Sequence, residues 1–353
     1  MKHISLLGFL TFLLIMASHG LDICLVGNRG ISTFSQVVFA EYYKFYDRYS
    51  DEHTIYIMYT DSTPSGGPNI TATYEICRNL SVDLIITVQS FADPRMVASA
   101  VANSTIKYFL ARASARFDYT PASPNFLPGN INYGYIIEEL VHYVHGMAAA
   151  MKTPTDPVTG KKHMGMILPV LGPQFIQATN AFLLGCKTIF EHCQITTANT
   201  VNSAGFGQFF PDFDYQVVDM LLANDTRILY VKHQKVDWQI QSRIKEINQN
   251  QTVPIRVGEN QFSKRMNQTV RANLTTDPIV LSWIDFDLQG VFDVVLRQYK
   301  NGKLTNRTLI YNSIFNNKPA IELGLNKQQF TKAQRDLLYD TMERLLSGEL
   351  DIF

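Results

Sequence analysis

The sequence predicts an α/β protein built from two doubly wound lobes. Three observations predict it. Short apolar runs alternate with amphipathic stretches along most of the chain. Gly, Pro and Asn gather at the joins between them. The strand-like runs number nine or more, which exceeds one comfortable core in a chain of 353 residues. Such alternation implies right-handed βαβ crossovers and parallel sheets covered on both faces.

The chain opens on a leader rather than on fold. Lys2 and His3 are followed by the apolar run "SLLGFLTFLLIM", too short to span a bilayer comfortably, and then by the small residues Ser18 and Gly20. Residues 1–20 read as a signal peptide, with an uncleaved anchor helix as the alternative. Nothing later in the sequence is long and apolar enough to span, so the mature chain is expected to carry no transmembrane segment.

Strand-like runs follow in order: "DICLVG", "HTIYIMYT", "DLIITV", "IKYFLA", "MGMILP", "QITTAN", "RILYV", "VPIRV" and "IVLSW". Helix-like stretches lie between them, including 34–49, 134–151, 174–184, 215–223, 238–248 and 288–299. The stretch "RFDYTPASPNFLPGNINYG", residues 116–134, is rich in Pro, Asn and Gly and reads as the link between a first sheet and a second βα series. In open α/β sheets, ligands sit at the carboxyl ends of strands beside the topological switch point. With two lobes facing each other, that place is the cleft between them.

Composition narrows the function. Net charge is zero and the pI is near 7.1, so nothing points to nucleic acid or an anionic membrane surface. Sequons occur at Asn69, Asn79, Asn103, Asn224, Asn250, Asn267, Asn273 and Asn306. Behind a signal peptide, eight sequons suggest a eukaryotic glycoprotein, secreted or held in the lumen of the secretory or endolysosomal pathway. Four cysteines in an oxidising compartment suggest two disulfides, for which three pairings exist. A short loop between a helix end and the next strand would join Cys186 to Cys193. Cys24, on the first strand, would then pair with Cys77 on a nearby helix. Buried free thiols are the alternative, and no spacing supports a metal site.

Several stretches resemble the basic membrane protein family of substrate-binding proteins, the purine nucleoside receptor-like group. "CLVGNRGISTFSQ" is similar to its first strand and ligand loop. "NINYGYIIEELVHYVHGMAAAM" resembles its helix after the hinge, with Tyr143, Gly146 and Ala148 in a Tyr-x-x-Gly-x-Ala arrangement. "GKKHMGMILPVLGPQFIQATNAFLLGC" resembles its next strand and helix, including Phe182 and Gly185. "VVLRQYKNGKL" and "MERLLSGELDIF" resemble its last long helix and its tail. The resemblance implies a type I periplasmic-binding fold with three hinge crossovers. It divides the chain into one lobe of residues 21–131 plus 260–308 and another of 132–259 plus 309–353.

The departures from the family bear on the ligand. A carboxylate usually starts the family's first loop, and Asn28 stands there. The Ser-Phe-Asn triplet reads Thr33-Phe34-Ser35. Arg112 replaces an acid, Leu168 and Pro169 replace glycines, and "KHQKVD", with Lys232 and His233, replaces a glycine-rich loop. Gly258 and Asn260 stand for aspartates while Gln261 is kept, and Asp285 takes the place of a lysine.

A nucleoside site needs an aromatic face for the base and polar groups for the ribose and the base edge. Phe34 is the candidate stack, with Phe209, Phe210 or Phe213 from "GQFFPDFDY" closing from the other side. The full candidate set is Asn28, Phe34, Ser35, Arg112, Phe210, Phe213, Lys232, Gln261 and Asp285. Each has a plainer reading: Phe34 as a core anchor, Arg112 as a surface ion pair, Lys232 as a solvated turn. Asp212, Asp214, His145 and His192 form no recognisable dyad, and GxSxG, P-loop, HExxH and GxGxxG are absent from the sequence.

The expectation is therefore a non-catalytic, cofactor-free binding protein that closes on a small molecule, with a nucleoside as the leading guess. A membrane receptor or transporter is the expected reader of the closed form. A glycosylated interaction or structural protein that kept the fold and lost the site is the alternative.

Overall fold

The computed structural model describes residues 20–28, 33–60, 70–88, 94–113, 128–168, 173–199, 211–223, 226–231, 237–263, 276–304, 309–311, 314–315 and 317–352. The first unit contains β1 (Asp22–Asn28), α1 (Thr33–Tyr49), β2 (Thr54–Thr60), α2 (Ile70–Asn79), β3 (Leu84–Thr87), α3 (Pro94–Ala102), β4 (Lys107–Ala113) and β5 (Ile131–Tyr135). The second contains α4 (Glu139–Lys152), β6 (Lys162–Leu168), α5 (Pro173–Ile189), β7 (Cys193–Asn199), α6 (Pro211–Ala223), β8 (Ile228–Val231), α7 (Asp237–Asn248), β9 (Arg256–Ser263) and β10 (Val280–Phe286). The chain ends with α8 (Gln289–Lys300), β11 (Leu309–Tyr311), the small hairpin β12 (Ile314–Phe315) and β13 (Lys318–Pro319), β14 (Ile321–Leu325) and α9 (Lys332–Ser347).

The two large sheets repeat one topology. Their orders are β11-β5-β4-β3-β1-β2 and β14-β10-β9-β8-β6-β7. The first is parallel throughout. The second is parallel except for β14, which runs antiparallel to β10. β1–α1 and β6–α5 keep a constant offset of 140 residues: 22 to 162, 28 to 168, 33 to 173 and 49 to 189. The chain passes between the sheets three times: after β5, after β10, and between β11 and β14.

Strand pattern explains the layers. β1 buries alternate residues on opposite faces, as period-two geometry requires. Ile23 and Leu25 pack in a core with Val37 and Phe45 of α1, while Cys24 and Val26 face Tyr74 of α2 and Met96 of α3. A strand covered on both sides reads as a continuous apolar run, which is why "DICLVG" was legible.

β5 was not legible. "INYGY" reads as part of a link, yet all five of its residues are buried between β4 and β11. Gly134 belongs there because a Cβ would meet the Phe109 ring at 3.1 Å. The helix expected over 134–151 accordingly starts only at Glu139. The strand expected at "VPIRV" is displaced toward the carboxyl side, to Arg256–Ser263.

Against the implied return of 260–308 to the first lobe, α8 packs on α1 and β4 of the first sheet. β9 and β10 lie in the second sheet, and β11, beyond residue 308, joins the first. The second crossover between the sheets thus follows β10.

Both expected disulfides form. Cys24 on β1 bonds Cys77 on α2 with Cα atoms 6.2 Å apart, and Cys186 on α5 bonds Cys193 on β7 at 6.1 Å. The sequence separations are 53 and 7 residues. By loop entropy the longer closure stabilises by about 4 kcal/mol and the shorter by about 2.5 kcal/mol.

α4 and α5 meet at glycines. A Cβ on Gly146 would lie 1.9 Å from the Phe182 carbonyl oxygen, and one on Gly185 would lie 1.8 Å from that of Tyr143. Backbone cannot retreat as a flexible side chain can. Gly185→Ala is therefore expected to lower stability by about 3 kcal/mol or more, the upper range for overpacking, as read from a urea-unfolding midpoint.

The start of β1 is held by His53, whose Nδ1 accepts the Leu21 N–H at 3.0 Å. Burial, and next the Lys300 cation, lower its pKa from 6.5, with Glu52 opposing. A lowered histidine pKa means that the unfolded chain takes up the proton first. This contribution to stability is complete above about pH 6.5 and is lost as pH falls from there through the folded-state value. Melting curves between pH 7.5 and 5 should show a smaller acid-side loss in His53→Gln than in the parent.

Candidate functional site

In each sheet the first strand sits between the second and the third, so the chain leaves β1 to one side and returns on the other. The crevice beyond the carboxyl ends of β1 and β3, and of β6 and β8, is where such folds hold ligands.

Tyr42 packs beneath the carboxyl ends of β1 and β3. Its hydroxyl donates to the Val26 carbonyl at 2.8 Å and accepts from the Val88 N–H at 3.2 Å, joining the ends of β1 and β3. The side chain is fully buried, and burial pushes its phenol far above the ordinary range, so it stays neutral. Sequence reading passed over Tyr42 because it stands among the apolar residues of α1. The available signal was its place on the face shared with Val38 and Phe45.

Beside it, Thr87 ends β3 with 0% exposure, and its hydroxyl oxygen has no hydrogen-bond partner among the described residues. A buried hydroxyl of this kind costs about 1–3 kcal/mol unless something satisfies it.

In the second sheet, Phe182 occupies the position 140 residues after Tyr42 and packs on Tyr230 of β8, with ring centroids 4.7 Å apart. His142 and His145 lie one turn apart on α4 and face the sheet together. Nδ1 of His142 lies 2.8 Å from the Tyr230 hydroxyl, and Nδ1 of His145 lies 2.6 Å from Oγ of Ser282. The Ser282–His145 distance would suit proton transfer. Both residues are only 1% exposed, however, so no substrate reaches the pair and it serves to bind α4 to β10.

The candidate residues lie at or near the ends of elements. Asn28 ends β1, Arg112 is next to last in β4, and Gln261 lies in the last half of β9. Phe34 and Ser35 belong to the first turn of α1, and Phe213 to that of α6. For these six the structure describes backbone alone. Phe209, Phe210, Lys232 and His233 lie outside the described residues. α1 packs against β9 of the other sheet, which brings the element carrying Phe34 against the one carrying Gln261.

Asp285 is fully described. It is 5% exposed and accepts the Trp283 indole N–H at 3.1 Å. Trp283 in turn lies across Gly324, where a Cβ would meet its ring nitrogen at 2.0 Å. One carboxylate oxygen is thus committed inside the protein. Among the described residues, no three His, Cys, Asp or Glu side chains converge as a metal site.

Of the sequons, Asn79 and Asn250 are exposed, and Asn103 lies between α3 and β4 with its Oδ1 accepting from the Thr105 hydroxyl at 2.7 Å. These three precede β3, β9 and β4, at the amino ends of the sheets and away from the crevices. Asn69, Asn224, Asn267, Asn273 and Asn306 lie outside the described residues.

Thr87 generates a test. Thr87→Val removes an unsatisfied polar atom at nearly constant volume, so the unfolding midpoint should rise, by about 1 kcal/mol. A fall would show that the hydroxyl is already satisfied.

No family model matches the chain, and no curated protein matches it in sequence. Solved structures do match its fold. A solute-binding protein of an ABC transporter system from Aeropyrum pernix K1 is 13% identical, with a TM-score of 0.64 over 94% of this chain and 93% of that one. A transcriptional activator of the comK gene from Bacillus halodurans is 11% identical, with a TM-score of 0.63 over 95% of this chain and 100% of that one. An ABC transporter solute-binding protein from Agrobacterium vitis, bound with alpha-D-tagatopyranose, is 12% identical, with a TM-score of 0.56 over 90% and 99%. The chain therefore has the architecture of type I periplasmic solute-binding proteins: two parallel-sheet lobes joined by three crossovers.

Proposed function

We propose that this protein is a secreted, glycosylated, non-catalytic binding protein that closes its two lobes on a small molecule. The observation that carries this reading is the placement of the candidate residues. Asn28, Arg112, Gln261 and Asp285 stand at or near the carboxyl ends of β1, β4, β9 and β10, and Phe34, Ser35 and Phe213 in the first turns of α1 and α6.

The fold relatives support the ligand's general class. Some are solved with alpha-D-tagatopyranose or glycerol, both rich in hydroxyls. A nucleoside presents the same kind of surface through its ribose and adds a flat base for Phe34 and an aromatic from the 209–213 stretch. The cleft works by hinge closure, with ligand favouring the closed state in proportion to the extra contacts made there. The two disulfides suit an oxidising compartment, and the sequons at the amino ends of the sheets would keep glycans clear of the crevices.

Native mass spectrometry of protein from its own source should show a small molecule bound to a glycan-bearing chain. A nucleoside or a monosaccharide identified in this way then serves in calorimetry. Phe34→Ala should weaken a nucleoside about ten-fold or more, the loss of one base–aromatic stack. Unchanged affinity would reduce Phe34 to scaffold. A chain that carries no small molecule and binds none of the common nucleosides would favour the interaction-protein alternative.

A further inference from the structure

Helix α8 follows the second crossover, and its N-cap residue, Leu288, makes no side-chain cap. The cap comes from elsewhere. Glu41, in the middle of α1, is completely buried and accepts the Leu288 N–H at 3.0 Å. The same carboxylate accepts from Gln289 Nε2 at 3.0 Å, and the Glu41 carbonyl accepts from that amide at 2.8 Å. An anion-accepting helix N-terminus is thus closed by a carboxylate from another helix.

The clamp continues along the helix pair. Asp293, one turn into α8, holds Arg48 at 2.9 Å and the Tyr49 hydroxyl at 2.6 Å. Phe292 packs on Phe45, with ring centroids 5.4 Å apart. α1 and α8 therefore move as one body. At its other end α1 starts at Thr33, directly after the ligand loop, about 12 Å along the axis from Glu41 at 1.5 Å per residue. Asp287, just before the clamp, donates its N–H to the Ala320 carbonyl at 3.0 Å, tying the second crossover to the third.

We propose that Glu41 is a positioning residue for lobe closure: it fixes the second crossover to α1, so that displacement of the first turn of α1 is delivered to the hinge. The proposal rests on the binding reading above for its purpose, but not for its test. Ligand touches α1 at one end, the hinge is fastened near the middle, and the helix between them is stiff. The coupling needs no conformational change within the first lobe.

The test uses the full glycosylated chain without any ligand. Spin labels at the exposed Val101 and Val158, one on each lobe, report the interlobe distance. Hydrogen exchange reports the amides of residues 287–292. In Glu41→Ala the distance distribution should broaden, and exchange at 287–292 should quicken about ten-fold or more, the loss expected for a buried hydrogen-bonded acceptor, while β6 and β8 stay protected. Faster exchange throughout with an unchanged distance distribution would mean a plain packing role and overturns the proposal, as does a folded variant that behaves like the parent. If Glu41→Ala does not fold, Gln289→Leu removes the side-chain donor while leaving Glu41 in place. It should shift both readouts in the same direction by a smaller factor, and no shift overturns the proposal. Failure to find a ligand changes none of these outcomes.

Discussion

The structure depends on one constraint: neither lobe completes its own core. After its fifth strand each half of the chain leaves its sheet, and the helix that follows packs against the other half. α4, after β5, covers the second sheet and lies on α5, whereas α8, after β10, covers the first and lies on α1. The exchanged helices are not interchangeable in chemistry. α4 and α5 meet backbone to backbone through Gly146 and Gly185, a contact held by shape. α8 and α1 meet through Glu41, Gln289, Asp293 and Arg48, a contact held by charge and hydrogen bonds. One lobe is thus closed by a steric fit, which tolerates no added atom, and the other by polar groups that can rearrange.

Much of the fold was legible because strands buried on both faces announce themselves as apolar runs. "DICLVG", "DLIITV" and "RILYV" mark β1, β3 and β8 to within a residue or so. β5 was hidden because Asn132 and Gly134 break its apolar pattern. The physical reason lies in tertiary packing: Gly134 makes room for the Phe109 ring, and Asn132 is buried within the sheet. The disulfide pairing was legible for a related reason. Once β1, α2, α5 and β7 are placed, only the pairing found joins elements that neighbour each other in the fold.

The candidate positions, at strand ends, were legible in outline. Loops at strand ends can be found from the order of elements, and residues there are candidates whatever their type. What sequence could not show is which groups lie beneath the strand ends. Tyr42 reaches from α1 to the backbone at the ends of β1 and β3, Thr87 is buried at the end of β3, and neither sits in a motif. Asp285 illustrates the converse. Its position at a strand end marked it as a ligand contact, but i, i+2 spacing also puts it beside Trp283, and the indole already uses one of its oxygens. Period-two geometry serves a site and a core equally well, and only the coordinates separate the two.

The helix exchange also has a consequence for how the chain is made. Synthesis runs from the amino end, and β1 to β5 emerge first, with a nearly complete sheet. That sheet still lacks β11 and the cover of α8, which come only with residues 289–311. Until then, the apolar face that will receive Phe292 stays open, and β5 presents a free edge. Long-range contacts of this kind slow folding and leave intermediates exposed. The Cys24–Cys77 bond spans only elements of the first unit and can close as soon as α2 has emerged. It ties α2 to the first strand during the wait for the last one. In this chain the first lobe begun is among the last parts finished.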